Sequence, residues 1–124
     1  MRAVQRLILV SDDEPTVAES LEKIGKNLDV TVISDTNKKV VDRARKERPD
    51  VIVLDVQQKD GLELLSLLKT GRNTKDIPVV VVADGDVPDL REMALEVGAD
   101  GFIAKPLGKD FLPKLLLFLS GRKS

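Results

Sequence analysis

The 124-residue chain contains no cysteine and no histidine. Their absence excludes thiol nucleophiles, Cys/His zinc centres and an imidazole general base, so chemistry here has to rest on carboxylates, lysine and an oxygen-ligated cation. Neither charge sign is in excess: 20 Lys and Arg stand against 21 Asp and Glu, for a formal net charge of -1. No global field favours a polyanion or an acidic membrane, and direct nucleic-acid binding is not expected. Long apolar runs are missing as well. No segment reaches the length of a membrane span, and Met1-Arg2-Ala3-Val4-Gln5-Arg6 opens no stretch of signal-peptide length, so the expected location is cytoplasmic. Repeats, linkers and low-complexity tails are not seen, and residues 1–124 read as one domain. A domain of this size buries well over half of the surface its unfolded chain exposes, without disulfides or a structural metal.

What is present is a regular alternation of short apolar runs and amphipathic stretches. Val51-Ile52-Val53-Leu54 reads as a strand buried on both faces, with Asp55 at its C-terminal end. Leu7-Ile8-Leu9-Val10 is a second such run. It is followed by Ser11, Asp12, Asp13 and Glu14, and then by a first helix with Pro15 in its first turn and Val17, Leu21, Ile24 and Leu28 on one face. Val30 to Ile33 is β-rich, and a polar helix from Thr36 to about Lys46 carries Val40, Val41 and Ala44. After Asp55, Gly61 leads into a third helix with Leu62, Leu64, Leu65 and Leu68 on its face. Ile77 to Ala83 returns to strand with Pro78 near its start, and Leu90, Met93, Ala94 and Val97 mark a fourth helix closed by Gly98. Gly101 to Ala104 is a weaker fifth strand. A fifth helix runs from about Lys109 to Leu119 with Pro113 near its start. Five strands alternating with five helices through short joints predict an α/β fold, a parallel sheet covered on both faces.

Parallel strands deliver their following turns to one edge of the sheet. Asp12, Asp13, Asp55, Asp84 and Lys105 therefore converge on one rim. Clustered carboxylates repel one another unless a cation is present, and an all-oxygen set without histidine suits Mg2+. Lys105 supplies a compact positive charge. A carboxylate nucleophile beside Mg2+ and an ammonium is suited to accept a phosphoryl group, because both cations neutralise charge on the transferring oxygens. Each residue alone also fits a plainer role, Asp12 or Asp13 as a helix cap and Lys105 as a surface residue before Pro106. Convergence across four turns favours the site.

Four stretches then carry a resemblance. They are Ile8-Leu9-Val10-Ser11-Asp12-Asp13-Glu14-Pro15, Arg48-Pro49-Asp50-Val51-Ile52-Val53-Leu54-Asp55, Ile77-Pro78-Val79-Val80, and the run from Ala94 through Val97-Gly98-Ala99-Asp100-Gly101-Phe102 to Ile103-Ala104-Lys105-Pro106. Over nearly its whole length the chain resembles a response-regulator receiver domain of the CheY-like kind. The resemblance implies a (βα)5 doubly wound three-layer sandwich with a five-stranded parallel sheet, flavodoxin-like in arrangement. It implies that Asp55 accepts phosphate from a histidine kinase or phosphotransfer protein, and that Asp12, Asp13 and Asp55 hold Mg2+ with the backbone carbonyl of Gln57. Lys105 would contact the phosphoryl group, and the peptide before Pro106 is commonly cis in such domains.

The chain departs from that family at its switch. The end of the fourth strand usually carries Thr or Ser, whose hydroxyl moves to the phosphoryl oxygen, and here Ala83 has only a methyl group. The next residue is usually small, and here Asp84 adds a carboxylate that opposes a phosphoryl dianion unless it points away or binds metal. Only Val56-Gln57-Gln58-Lys59 precede Asp60-Gly61, two residues fewer than the family's usual loop. Lys59 is either a solvated loop residue or a charge near the pocket. Phe102 occupies the position of the family's rotamer-switching aromatic, and core packing is its simpler role.

No segment resembles a DNA-binding helix-turn-helix, so output is expected through a downstream protein or an output domain. The usual partner or homodimer face is made by the fourth helix, fifth strand and fifth helix. In the fifth helix Leu112, Leu115, Leu116 and Leu119 can face the core, which leaves Leu117 and Phe118 as contact residues. Two further readings stay open at this point. One is a pseudo-receiver that signals without phosphorylation; the other is a small Asp-dependent phosphatase, for which no second acid or base is evident.

Overall fold

Residues rich in β-branched and aliphatic side chains assemble the centre of the molecule. In the computed structural model, which describes residues 6–11, 19, 22, 23, 30–36, 39–56, 60–84, 88–105 and 115, they form five strands. These are β1 (Arg6–Ser11), β2 (Val30–Asp35), β3 (Val51–Asp55), β4 (Val79–Asp84) and β5 (Gly101–Lys105). All neighbouring pairs are parallel, in the order β2-β1-β3-β4-β5. This is the order of flavodoxin-like sheets, and the chain reverses its direction of travel across the sheet between β1 and β3. The described helices are α1 (Val40–Glu47), α2 (Asp60–Thr70) and α3 (Pro88–Val97), which answer to the second, third and fourth expected from periodicity. Leu115 is helical and buried where the fifth was expected, and Glu19, Glu22 and Lys23 are helical within the first. The expected apolar face of the first helix, Val17, Leu21, Ile24 and Leu28, lies outside the described residues. No described helix is long and apolar enough to cross a membrane.

Side chains alternate across the sheet with period two, and each face has its own core. Ile8, Val10, Val51, Val53, Val80 and Val82 pack on one face with Leu115. Leu9, Ile52, Leu54, Val79 and Val81 pack on the other with Val40 and Ala44 of α1, Leu65 and Leu68 of α2, and Ala94 of α3. β3 is buried at every residue, as its unbroken apolar run requires, whereas the edge strands β2 and β5 are mostly half-buried. Each fully buried Leu or Ile contributes about 1.5–3 kcal/mol relative to an exposed one. The core, not helix propensity, therefore holds α1 to α3 in place.

Two boundaries and one helix face differ from the periodic reading. β4 begins at Val79 rather than Ile77, because the Ile77 N–H donates to the Thr74 carbonyl at 3.0 Å and Pro78 has no N–H to offer the ladder. α1 begins at Val40 rather than Thr36, since Thr36 N–H donates to Asp35 Oδ1 and Lys39 N–H closes a turn on the Thr36 carbonyl. Met93 is 44% exposed, not part of the inward face of α3. Leu90, Ala94 and Val97 fall within a narrower arc that meets the sheet, and Met93 lies about 40° beyond its edge at 100° per residue.

The ends of β1 and β3 are tied together at their starts. Asp50 N–H donates to the Leu7 carbonyl at 2.8 Å while Leu7 N–H donates to Asp50 Oδ2 at 2.7 Å. Gly98, at φ 121°, ends α3 in a conformation that L side chains rarely adopt. Arg48 adopts φ 52° at the end of α1, where its N–H caps Ala44 and its guanidinium donates to the Asn73 carbonyl.

Candidate functional site

Ligand crevices in open α/β sheets form beyond the carboxyl ends of the strands where the chain reverses its order. Here those ends belong to β1 and β3. Ser11, the residue before Asp12, lies opposite Leu54, the residue before Asp55. Asp55 closes β3 opposite Val82 and is only 5% exposed. Lys105 closes β5 opposite Asp84. Two-residue alternation puts Asp55 on the face of Val51 and Val53, and Lys105 on the face of Ile103. That is the same side of the sheet.

β4 stands between these two residues, so their backbones are two strand spacings of about 4.8 Å apart. The lysine arm crosses that interval, and Lys105 Nζ donates to Asp55 Oδ2 at 2.7 Å. The length is that of a charge-assisted bond, and the side chains are 19% and 4% exposed. Breaking such a pair by removing one partner leaves a buried charge, at a cost of about 3–5 kcal/mol. The other carboxylate oxygen, Oδ1, is also buried.

Asp55 is held from its C-terminal side. Val56 is fully buried, and its N–H donates to the Val82 carbonyl at 2.8 Å. α2 begins at Asp60, and Gly61 in its first turn presses on the Val56 side chain. The start of α2 and the end of β3 therefore lie close together.

Of the other expected site residues, Ala83 is 1% exposed and lies opposite Ala104, with its methyl enclosed. Asp84 ends β4 opposite Lys105 in the backbone register. Phe102 packs half-buried against the core on the α1–α3 face, and the Arg91 guanidinium of α3 lies 5.1 Å from its ring centroid. That separation is a cation–π distance. Asp12, Asp13, Gln57, Lys59, Leu117 and Phe118 lie outside the described residues. No cluster of three acidic side chains gathers among the described residues to hold a metal. Asp55 itself fits an Mg2+ site: a buried carboxylate presenting only oxygen is the hard donor such a cation takes.

Two features of the site were not legible from residue types. The contact of Gly61 with Val56 has only the glycine's place beside a short loop as a sequence signal. The stacking of Arg91 on Phe102 joins α3 to β5 and has none, since helical spacing does not give the register between elements.

With this geometry in view, the comparisons with known proteins are consistent with one another. The profile of the response regulator receiver domain matches residues 8–117. A probable transcriptional regulatory protein, TcrX, of Mycobacterium tuberculosis is 34% identical over 103 residues, which cover 80% of this chain and 43% of that protein. The chain spans about half or less of the length of such relatives. The receiver domain of a signal transduction histidine kinase from Syntrophus aciditrophicus is 31% identical with a TM-score of 0.80, covering 95% of this chain and 92% of that one. The receiver domain of a Pseudomonas aeruginosa sensor histidine kinase, solved with a magnesium ion coordinated in its active-site cleft, superposes with a TM-score of 0.78. It is 21% identical and covers 94% of this chain and 99% of its own. Buried β3 ending in Asp55, the strand order and the profile match lead to one assignment: the chain belongs to the response regulator receiver domains of two-component signalling.

Proposed function

We propose that Asp55 accepts a phosphoryl group from a phosphohistidine of a histidine kinase or phosphotransfer protein. A carboxylate oxygen of Asp55 attacks phosphorus, the P–N bond breaks, and the departing imidazole leaves as the neutral base after taking up a proton. The observation that carries this reading is the 2.7 Å pair of Lys105 Nζ with Asp55 Oδ2 beside the crevice. Lys105 engages one carboxylate oxygen and then meets charge developing on the phosphoryl oxygens. Asp12, Asp13, Asp55 and the Gln57 carbonyl would hold Mg2+, which when bound supplies the remaining countercharge. The magnesium in the cleft of the Pseudomonas aeruginosa receiver supports this choice of cation.

Residues 1–124 act as one signalling module in the cytoplasm, without an independent catalytic turnover. Output passes through protein contacts, to a downstream partner or an output domain, or to a second copy through the face of α3, β5 and the helix that contains Leu115, with Leu117 and Phe118 as contact residues. The name of the Mycobacterium tuberculosis relative supports an output in transcription, although this chain itself is not proposed to touch DNA. Ala83 cannot donate the hydrogen bond that a Thr or Ser would make, so phosphorylation moves the β4–α3 connection less than in relatives that carry the hydroxyl. Asp84 adds to that effect, and Phe102 stays a packing residue under Arg91.

Incubation with Mg2+ and acetyl phosphate, followed by intact-mass measurement, tests the proposal. A gain of one phosphoryl group that is lost in Asp55→Asn is expected. Failure to label under conditions that label an ordinary receiver would overturn it and favour signalling without phosphorylation.

A further inference from the structure

Gly61 lies in the first turn of α2 and is buried. Only Val56, Gln57, Gln58, Lys59 and Asp60 separate it from Asp55. A β-carbon at position 61 would stand 2.7 and 2.8 Å from the two γ-carbons of Val56 and 3.0 Å from its β-carbon. Carbon atoms do not approach so closely, and something would have to move. Val56 has little freedom to yield: it is β-branched, fully buried, and bonded through its N–H to Val82. α2 is anchored by Leu65 and Leu68 in the core. The remaining path is a shift of the Val56 backbone, and a single planar peptide joins Val56 to Asp55.

We propose that Gly61 is a positioning residue for the phosphoryl acceptor: its missing side chain lets α2 seat against Val56 and so sets where the Asp55 carboxylate meets Lys105. This rests on the phosphoryl-acceptor reading of Asp55. The glycine is needed for close approach. Gly101 offers the contrast, because a β-carbon there would lie 3.6 and 3.8 Å from the γ-carbons of Val80, an ordinary contact.

The test uses the full chain with Mg2+ and acetyl phosphate and compares wild type with Gly61→Ala, Val56→Ala, the double variant and Gly101→Ala. Gly61→Ala is expected to slow labelling at saturating donor by about tenfold or more, since small misplacements of a reacting group carry costs of that order. In the Val56→Ala background the same added methyl should change the rate by less than about threefold, and Gly101→Ala should stay within about twofold of wild type, as coupling confined to one contact requires. A Gly61→Ala protein that labels within about twofold of wild type, or an equal loss in both backgrounds, overturns the proposal.

The 13C shift of the Asp55 carboxyl carbon, measured without donor, separates this outcome from failure of the acceptor reading. It should move in Gly61→Ala and stay in place when Gly61→Ala is added to Val56→Ala. If the wild type takes no phosphoryl group, the acceptor reading falls and the shift still decides the positioning. If Gly61→Ala does not fold, a folded double variant with the rate and shift of Val56→Ala supports the proposal. A double variant that is unfolded, or slower than Val56→Ala by more than about tenfold, overturns it.

Discussion

Two lysine–aspartate pairs sit at opposite ends of the same strands. Lys69 Nζ meets Asp100 Oδ2 at 2.9 Å near the starts of β4 and β5, and Lys105 Nζ meets Asp55 Oδ2 at 2.7 Å near the ends of β3 and β5. Both pairs are mostly buried. At the first, backbone groups take part: Lys69 also donates to the Ile77 carbonyl, Val79 N–H donates to the same Asp100 oxygen, and Asp100 N–H donates to the Val79 carbonyl. That pair sews α2 to the entries of two strands. The second runs from side chain to side chain across β4, next to the crevice. The first pair thus serves architecture, and on the proposed acceptor role of Asp55 the second serves reactivity where the strands open.

The largest effects should fall at the crevice. Asp55→Asn, or chelation of Mg2+, should abolish the phosphoryl adduct seen by intact mass. Lys105→Ala should retain Asp55 and lower the labelling rate by about 10²-fold, the usual loss when one charge-stabilising group is removed from a transferring centre. Asp100→Ala should do the opposite. It strands Lys69 and the Val79 N–H, so urea unfolding should show a loss of about 2–3 kcal/mol while labelling stays within about twofold. A labelling defect in Asp100→Ala as deep as that of Lys105→Ala would erase the distinction between the two pairs. The smallest effect belongs to Ala83→Thr. Labelling should change little, but phosphorylation-dependent amide shifts in α3 should grow; a full response already present in the wild type would show that Ala83 does not limit it.

Much of this architecture was legible before any coordinates. Val51 to Leu54 could only be a strand buried on both faces, and β3 is buried throughout. The parallel sheet followed from alternation, and the meeting of Asp55 with Lys105 followed from parallel strands ending at one rim. What escaped depends on register between elements. Met93 matched a helical face, yet the arc that meets the sheet is set by how α3 lies on β4 and β5. The Lys69–Asp100 pair has no sequence signal, since it depends on Gly98 leaving room for the lysine stem, with a β-carbon there only 3.3 Å from Lys69 Cβ and Cγ. Gly61 reads as a helix opener until Val56 is placed against it. Gly-to-Ala exchange in a helix usually favours the helix by about 0.5–1 kcal/mol, whereas overpacking costs about 1–3 kcal/mol. The contact therefore outweighs the propensity, and no local rule shows it.

The strand order has a consequence for how the domain forms. Leu7 and Asp50, bonded to each other at the start of the β1–β3 pair, are 43 residues apart in the chain. Closing such a span adds little to the equilibrium cost, because loop entropy grows only with the logarithm of length, but it slows folding. β3 cannot be flanked on both sides until β1 has been recovered across that interval and β4 has arrived. The edge that carries Asp55 is therefore a product of the completed sheet, and refolding kinetics followed at Asp55 should coincide with global folding rather than precede it.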